Sequence, residues 1–265
     1  EDIYRHYLEA HPSDAEVRLK LAGVLTSAQR YAEAEGIYRS LLHQGIKTQR
    51  ARSGLARLYL QRKDFAGALK NVEKYLKLVQ CAPSDRAEAS SKALKQAEGL
   101  QLEGDLLYRL GRYQEALQRY SRLQQMPSGE AAGLLGRGKT LLAAGDSKQA
   151  AVLLAQAHKH SPEGIEILYN LGVASGRDVN SEEFVNDLLK SKEYSLKELL
   201  AWGRLYTQHG AYPQAIEIYQ AVLARDPKNF HARFNLAETL AINHQYDKAL
   251  DRLKVLNAEY PGVSK

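Results

Sequence analysis

Gly133-Leu-Leu-Gly-Arg-Gly138-Lys139-Thr140 spells the pattern G-x-x-x-x-G-K-[ST], whose residue types and spacing would suit phosphate chemistry. In a loop between a strand and a helix, the free backbone N–H groups of such a segment cradle phosphates. Its lysine then reaches the outer phosphates, and its hydroxyl reaches a bound Mg²⁺. Here no strand pattern precedes the segment, and helical periodicity runs through it. A nucleotide-dependent enzyme acting through Lys139 would need 133–138 to be non-helical. The eight histidines make no ligand set. His158 and His160 diverge on a helix, His6 and His11 are five apart, and His209 and His244 fall near separate turns. Carboxylates are abundant but scattered, and no nucleophile, base and orienting group converge by spacing. Cys81 is the single cysteine, so there is no internal disulfide and no cysteine-based metal site. The sequence therefore reads as non-enzymatic, with no catalytic residue, no metal site and no cofactor.

The elements that carry these residues are helical and repeated. Across 265 residues, 44% are hydrophobic and 26% charged, a foldable, non-membrane composition. No apolar run nears the roughly 18–20 residues a membrane span needs. An aromatic stands three residues before an alanine at Tyr31/Ala34, Phe65/Ala68, Tyr113/Ala116, Tyr212/Ala215 and Tyr246/Ala249. Weaker copies run from Ser147 to Ala150 and from Ser181 to Phe184. Successive anchors are 34, 48, 34, 34, 31 and 34 residues apart. Twelve residues before each anchor lies a small residue: Ala22, Ala56, Gly104, Gly138, Gly172, Gly203 and Ala237. Four residues after it lies a large one: Tyr38, Val72, Tyr120, Leu154, Leu188, Tyr219 and Leu253. Closely crossing helices need this pairing, a gap on one backbone filled by bulk from the other. Most of the sixteen tyrosines that can be placed then belong to packing positions. Prolines 12, 162, 227 and 261 close several units.

With Leu171-Gly172, Trp202-Gly203-Arg204-Leu205-Tyr206 and Leu55-Ala56-Arg57-Leu58-Tyr59 in first helices, and Ala215, Tyr219 and Pro227 in a second, the sequence resembles the tetratricopeptide repeat family over essentially its whole length. The early tryptophan common in that family is replaced by Arg18, Arg52, Leu100, Leu134, Leu168, Leu199 and Arg233. The resemblance implies an all-α, right-handed superhelical solenoid of about seven helix-turn-helix repeats behind an N-terminal half repeat. On this reading 1–265 is a single solenoid. The half repeat covers 1–12, with a helix from about Ile3 to Ala10. Repeats start near Ala15, Gln49, Ala97, Ala131, Ile165, Leu196 and Phe230. The 48-residue step places an insertion near 79–94. There one helix should end by Leu78, and Ser84 or Asp85 should cap a lengthened next helix, with a protruding binding element as the alternative. The 31-residue step predicts a short second helix after Ser175-Gly-Arg-Asp-Val-Asn180. The half repeat and the apolar last helix (Ala249, Leu250, Leu253, Val255, Leu256) lead us to expect a fragment of a longer array, or self-association through open solenoid ends.

The family lines its concave face from fixed positions of each first helix. Carried over, these nominate a partner-binding surface of Leu19, Arg57, Leu60, Tyr108, Leu135, Lys139, Leu142, Tyr169, Leu200, Arg204 and Phe234. The apolar members are larger than a solvated face needs. Arg57, Lys139 and Arg204 could receive carboxylates or phosphates. Packing beneath neighbouring repeats is the competing explanation for the apolar members. The carboxylate clamp for heat-shock chaperone tails requires Lys and Asn where Leu19 and Gly23 stand, so such a tail is not the expected partner. The expected function is a scaffold holding a partner protein or peptide within a larger assembly. The irregular repeats and near-absence of cysteine suggest a bacterial envelope secretion or polymer-export complex, with the periplasm favoured over the cytoplasm. The alternative is a binder of an anionic polymer, polysaccharide or nucleic acid. It rests on the net charge of +6 and on nine basic residues against Asp64 and Glu73 between Lys47 and Lys77.

Overall fold

The computed structural model describes residues 1–82, 89–127, 129–162, 164–191 and 194–260. Among the described residues every regular element is an α-helix. Helix α1 (Asp2–Ala10) stands alone before seven sequential pairs. These are α2 (Ala15–Ser27) and α3 (Tyr31–His43), α4 (Thr48–Gln61) and α5 (Phe65–Cys81), α6 (Ala89–Arg109) and α7 (Tyr113–Gln124), and α8 (Glu130–Ala143) and α9 (Ser147–His160). They continue with α10 (Ile165–Ala174) and α11 (Glu182–Lys190), α12 (Leu196–Gln208) and α13 (Tyr212–Arg225), and α14 (Phe230–Ile242) and α15 (Tyr246–Glu259). The chain divides into two compact units, Glu1–Pro162 and Glu163–Lys265.

Six of the described helices start at a capping side chain. Asp14 accepts hydrogen bonds from the amides of Glu16 (2.9 Å) and Val17 (3.1 Å). Asp64, Asp146, Ser181 and Asn229 do the same for their helices, and Ser195 forms a full capping box with Glu198. Each such cap contributes about 1 kcal/mol. The first helix of every pair ends on a left-handed residue: Gln29, Lys63, Gly111, Gly145, Gly176, Gly210 and His244. The amide after it reaches back to a carbonyl five residues earlier, as Asp64 does to Tyr59 at 2.9 Å and Ala211 to Tyr206 at 2.9 Å. This satisfies carbonyls that the helix end would otherwise leave bare.

The small-against-large pairing holds the hairpins closed. A methyl group added at Gly203 would lie 2.5 Å from the Tyr219 ring, at Gly138 2.6 Å from Leu154, and at Gly104 2.7 Å from Tyr120. One pair departs from the expectation. Gly172 faces Val179, not Leu188, because the bend after α10 turns Val179 inward, where it is buried. In the last pair Leu253 remains 40% exposed, whereas its counterparts Tyr120, Leu154 and Tyr219 are buried.

In the first unit the core runs as two clusters, one around Leu25, Tyr38, Leu41 and Leu58 and one around Leu76, Leu106, Leu107, Tyr120 and Leu123. The second unit is centred on Trp202, ringed by Tyr169, Phe184, Tyr194 and Tyr206. Burying each such side chain stabilises by about 1.5–3 kcal/mol.

The irregular steps have plain physical outcomes. α5 runs to Cys81, three residues past the expected end, and α6 is 21 residues long. The proposed caps Ser84 and Asp85 lie outside the described residues. α11 is short, at nine residues.

Candidate functional site

The phosphate-loop pattern is helix. Gly133 to Thr140 lie inside α8, where the amides are spent on the helix itself. The glycines are there for close packing: a methyl at Gly133 would meet the Gln124 backbone at 2.6 Å, and one at Gly136 the Tyr120 ring at 2.3 Å. Thr140 is buried and donates its hydroxyl to the Gly136 carbonyl at 2.7 Å. Lys139 sits 6.0 Å from the centroid of the Tyr108 ring, a cation over an aromatic face. Among the described residues no group of three or more His, Cys, Asp or Glu side chains is placed to hold a metal.

The nominated surface residues fall in different settings. Leu19 and Arg57 come together in the lining of a groove of about 600 Å³ in the first unit. Helices α2 and α4 form its floor through Leu19, Lys20, Gly23, Gln49, Arg50, Ser53, Gly54 and Arg57. Tyr38 of α3, Tyr75 of α5 and Lys95 of α6 complete it. Tyr108 and Lys139 meet as described, and Leu60, Leu135 and Leu142 are half-buried and lie outside that groove. In the second unit Tyr169 and Leu200 are buried in the core, Tyr169 stacking on His209 at 4.6 Å. Arg204 and Phe234 are exposed, Phe234 lying against Phe230. Burial of Tyr169 and Leu200 follows from the Trp202 cluster, which draws in apolar side chains from α10 and α12.

The groove of the first unit is basic. Lys20, Arg50, Arg57 and Lys95 line it, and none of its lining residues is acidic. Glu16, at its margin, holds Arg50 at 2.6 Å and Lys47 at 3.7 Å. The hydrogen bond from Arg50, with further attraction from Lys47 and Lys20, holds its carboxyl below the usual glutamate value. Arg57 and Lys95 make no ion pair among the described residues. Burial pushes the Tyr38 phenol up, while a hydrogen bond with Thr26 and the charge of Arg57 pull it back. Position-by-position reading missed Lys20, Lys95 and Tyr75. Lys95 lies in the extended start of α6, before the repeat proper begins near Ala97, so no positional rule reached it.

The nine basic residues from Lys47 to Lys77 do not form one patch. Gln49, Arg50, Ser53, Gly54 and Arg57 share one side of α4, and Arg52, Leu55 and Tyr59 share the other, where they line a second groove with α3 and α5.

Two tetratricopeptide repeat models match the sequence, one over residues 206–264 and the other over 1–48 and 102–164. The chain belongs to the tetratricopeptide repeat family. Membership indicates a protein-interaction scaffold, in a fold whose members are typically non-enzymatic. Two solved structures agree on the fold. A tetratricopeptide repeat protein from Parabacteroides merdae matches with a TM-score of 0.57 at 14% identity, over 89% of this chain and 90% of that one. A structure of Naa15/Naa10 bound to HypK-THB matches with a TM-score of 0.50 at 15% identity, over 98% of this chain and 50% of that one. YrrB, described as a tetratricopeptide protein with an unusual peptide-binding site, matches at 0.48 and 16% identity, over 86% and 95%. No curated protein matches the sequence. Among the described residues no helix is long and apolar enough to cross a membrane.

Proposed function

We propose that the first unit holds an acidic segment of a partner protein in the groove formed by α2, α4 and α6. The supporting observation is the charge of that groove: Lys20, Arg50, Arg57 and Lys95 among its lining residues, and no carboxylate. Opposed charge steers encounter and sets orientation, and Arg57 can bind a carboxylate through two parallel N–H donors. The half-buried Tyr75 adds apolar wall above the buried Leu19 and Tyr38, which gives a polypeptide side chain somewhere to pack. A polyanion tracking the whole stretch from Lys47 to Lys77 would have to wrap both sides of α4, so a folded-in peptide suits the geometry better than a continuous polymer.

The test is fluorescence anisotropy with a labelled peptide that alternates Glu and Leu. Binding should weaken with added salt, and Arg57→Glu with Lys95→Glu should lower affinity by about tenfold or more. Equal affinity in the variant, or none in the parent, would sink the assignment. The proposal extends, on sequence character alone, to an assembly at the bacterial envelope. Fractionation of cells expressing the full-length protein tests that part: recovery only from the cytoplasm counts against it.

A further inference from the structure

We infer that a second acidic-segment site lies on the other side of α4, in the groove between α3 and α5. This groove of about 490 Å³ has Arg52, Leu55 and Tyr59 at its floor, Arg39 and Leu42 on one wall, and Lys70, Asn71 and Lys74 on the other. It is independent of the first groove, because the two use residues pointing to opposite sides of one helix.

Three of its cations lack a carboxylate. Arg52 is half-buried, and its guanidinium donates to the Asn71 side-chain oxygen at 3.1 Å, a neutral partner that leaves further N–H donors unused. Lys70 and Lys74, one turn apart on α5, make no ion pair among the described residues. Arg39 is already held by Glu35 at 2.6 Å. The one carboxylate lining the groove, Asp64, accepts from the Gly67 amide at 2.8 Å as the cap of α5. A partly buried guanidinium with no counter-charge, flanked by two like charges, is a field that an incoming oxyanion relieves.

The lining decides the class of occupant. The half-buried Leu42 supplies apolar surface beside the cations, with the buried Leu55 beneath it, which suits a polypeptide whose carboxylates alternate with apolar side chains. A single-stranded nucleic acid would need an open aromatic face for stacking. The Tyr59 ring carries the Arg62 guanidinium at 5.8 Å, and its hydroxyl donates to Glu35 at 2.8 Å, so that face is taken.

The test is an NMR titration of the isotope-labelled chain with an unlabelled peptide alternating Glu and Leu. The backbone amides of Gly67 and Asn71 report on this groove, and those of Gly23 and Ser53 on the first. Saturable shifts at Gly67 and Asn71 are expected, retained in Arg57→Glu and absent with a peptide in which Gln replaces Glu. Lys70→Glu with Lys74→Glu should raise the dissociation constant at those amides about tenfold. Lys70→Gln with Lys74→Gln, which removes charge without reversing it, should raise it several-fold and stands in if the reversal unfolds the chain. Shifts confined to Gly23 and Ser53 would overturn this site while leaving the first groove standing. Unchanged affinity in both lysine variants, or tighter binding of a short oligothymidylate at the Gly67 amide, would also overturn it.

Discussion

Glu103 is a buried carboxylate of α6, only 4% exposed. Arg119 of α7 meets it at 2.7 Å. Such a pair adds little net stability, because removing both charges from water offsets their attraction, but half of it alone is costly. Arg119→Ala should therefore destabilise the chain by about 3–5 kcal/mol, read as a urea midpoint. Replacing both with leucine should recover most of that loss. An Arg119→Ala chain as stable as the parent would mean that Glu103 finds water or another donor. The same logic makes the half-buried Arg52, bonded only to a neutral amide, stand out as a residue in need of a ligand.

At the scale of the element, the turn inside each hairpin is the most regular feature of the chain. Its left-handed residue recurs at 29, 63, 111, 145, 176, 210 and 244, so the 31-residue step falls one interval earlier here than it does among the anchors. Four of the seven are glycine and three are Gln29, Lys63 and His244. A residue with a Cβ pays roughly 1–2 kcal/mol in this conformation, and glycine returns part of that through its greater freedom when unfolded. Lys63→Gly is thus expected to stabilise by about 0.5 kcal/mol, and Gly210→Ala to destabilise by about 1 kcal/mol. Denaturant midpoints of the two variants should move in opposite directions. Movement in the same direction would show that Lys63 gains something in this turn that its backbone angle does not reveal.

Across the whole molecule, buried phenols set an alkaline limit. Burial raises the pKa of Tyr38 and Tyr75 in the first unit and of Tyr169, Tyr206 and Tyr219 in the second, Tyr206 most strongly. The unfolded chain releases these protons near pH 10, where the folded chain still holds them. Their contribution is fully present below about pH 10 and is lost as pH rises through the folded values. The urea midpoint should hold steady from pH 7 to 9 and fall steeply between pH 10 and 12. Tyr206→Phe should flatten that fall. At neutral pH it should cost about 1 kcal/mol, since the hydroxyl donates to the Val179 carbonyl at 2.5 Å. A parent chain with no alkaline loss would show that these phenols are not as enclosed as their packing implies.

The period alone determined the hairpins: α2, α4, α8, α10, α12 and α14 begin within a residue of the starts read from the anchors. Pairing within a hairpin is local, so a small residue and its large partner sixteen positions on, such as Gly203 and Tyr219, carry the information themselves. Departures fell where the local rule breaks, as at Gly172, whose partner became Val179 once the turn after α10 changed shape. Surface character was less legible. Leu19, Tyr169 and Leu200 hold groove positions by number, yet all three are buried, because exposure depends on how neighbouring helices close over a position. The two basic grooves were equally out of reach: α4 displays one set of cations on each side, but only the placement of α3, α5 and α6 shows which cations share a groove and which lack an acid. Sequence spacing determines which face a side chain takes on its own helix. Tertiary structure decides what stands opposite that face, since charge and exposure are properties of the gap between elements.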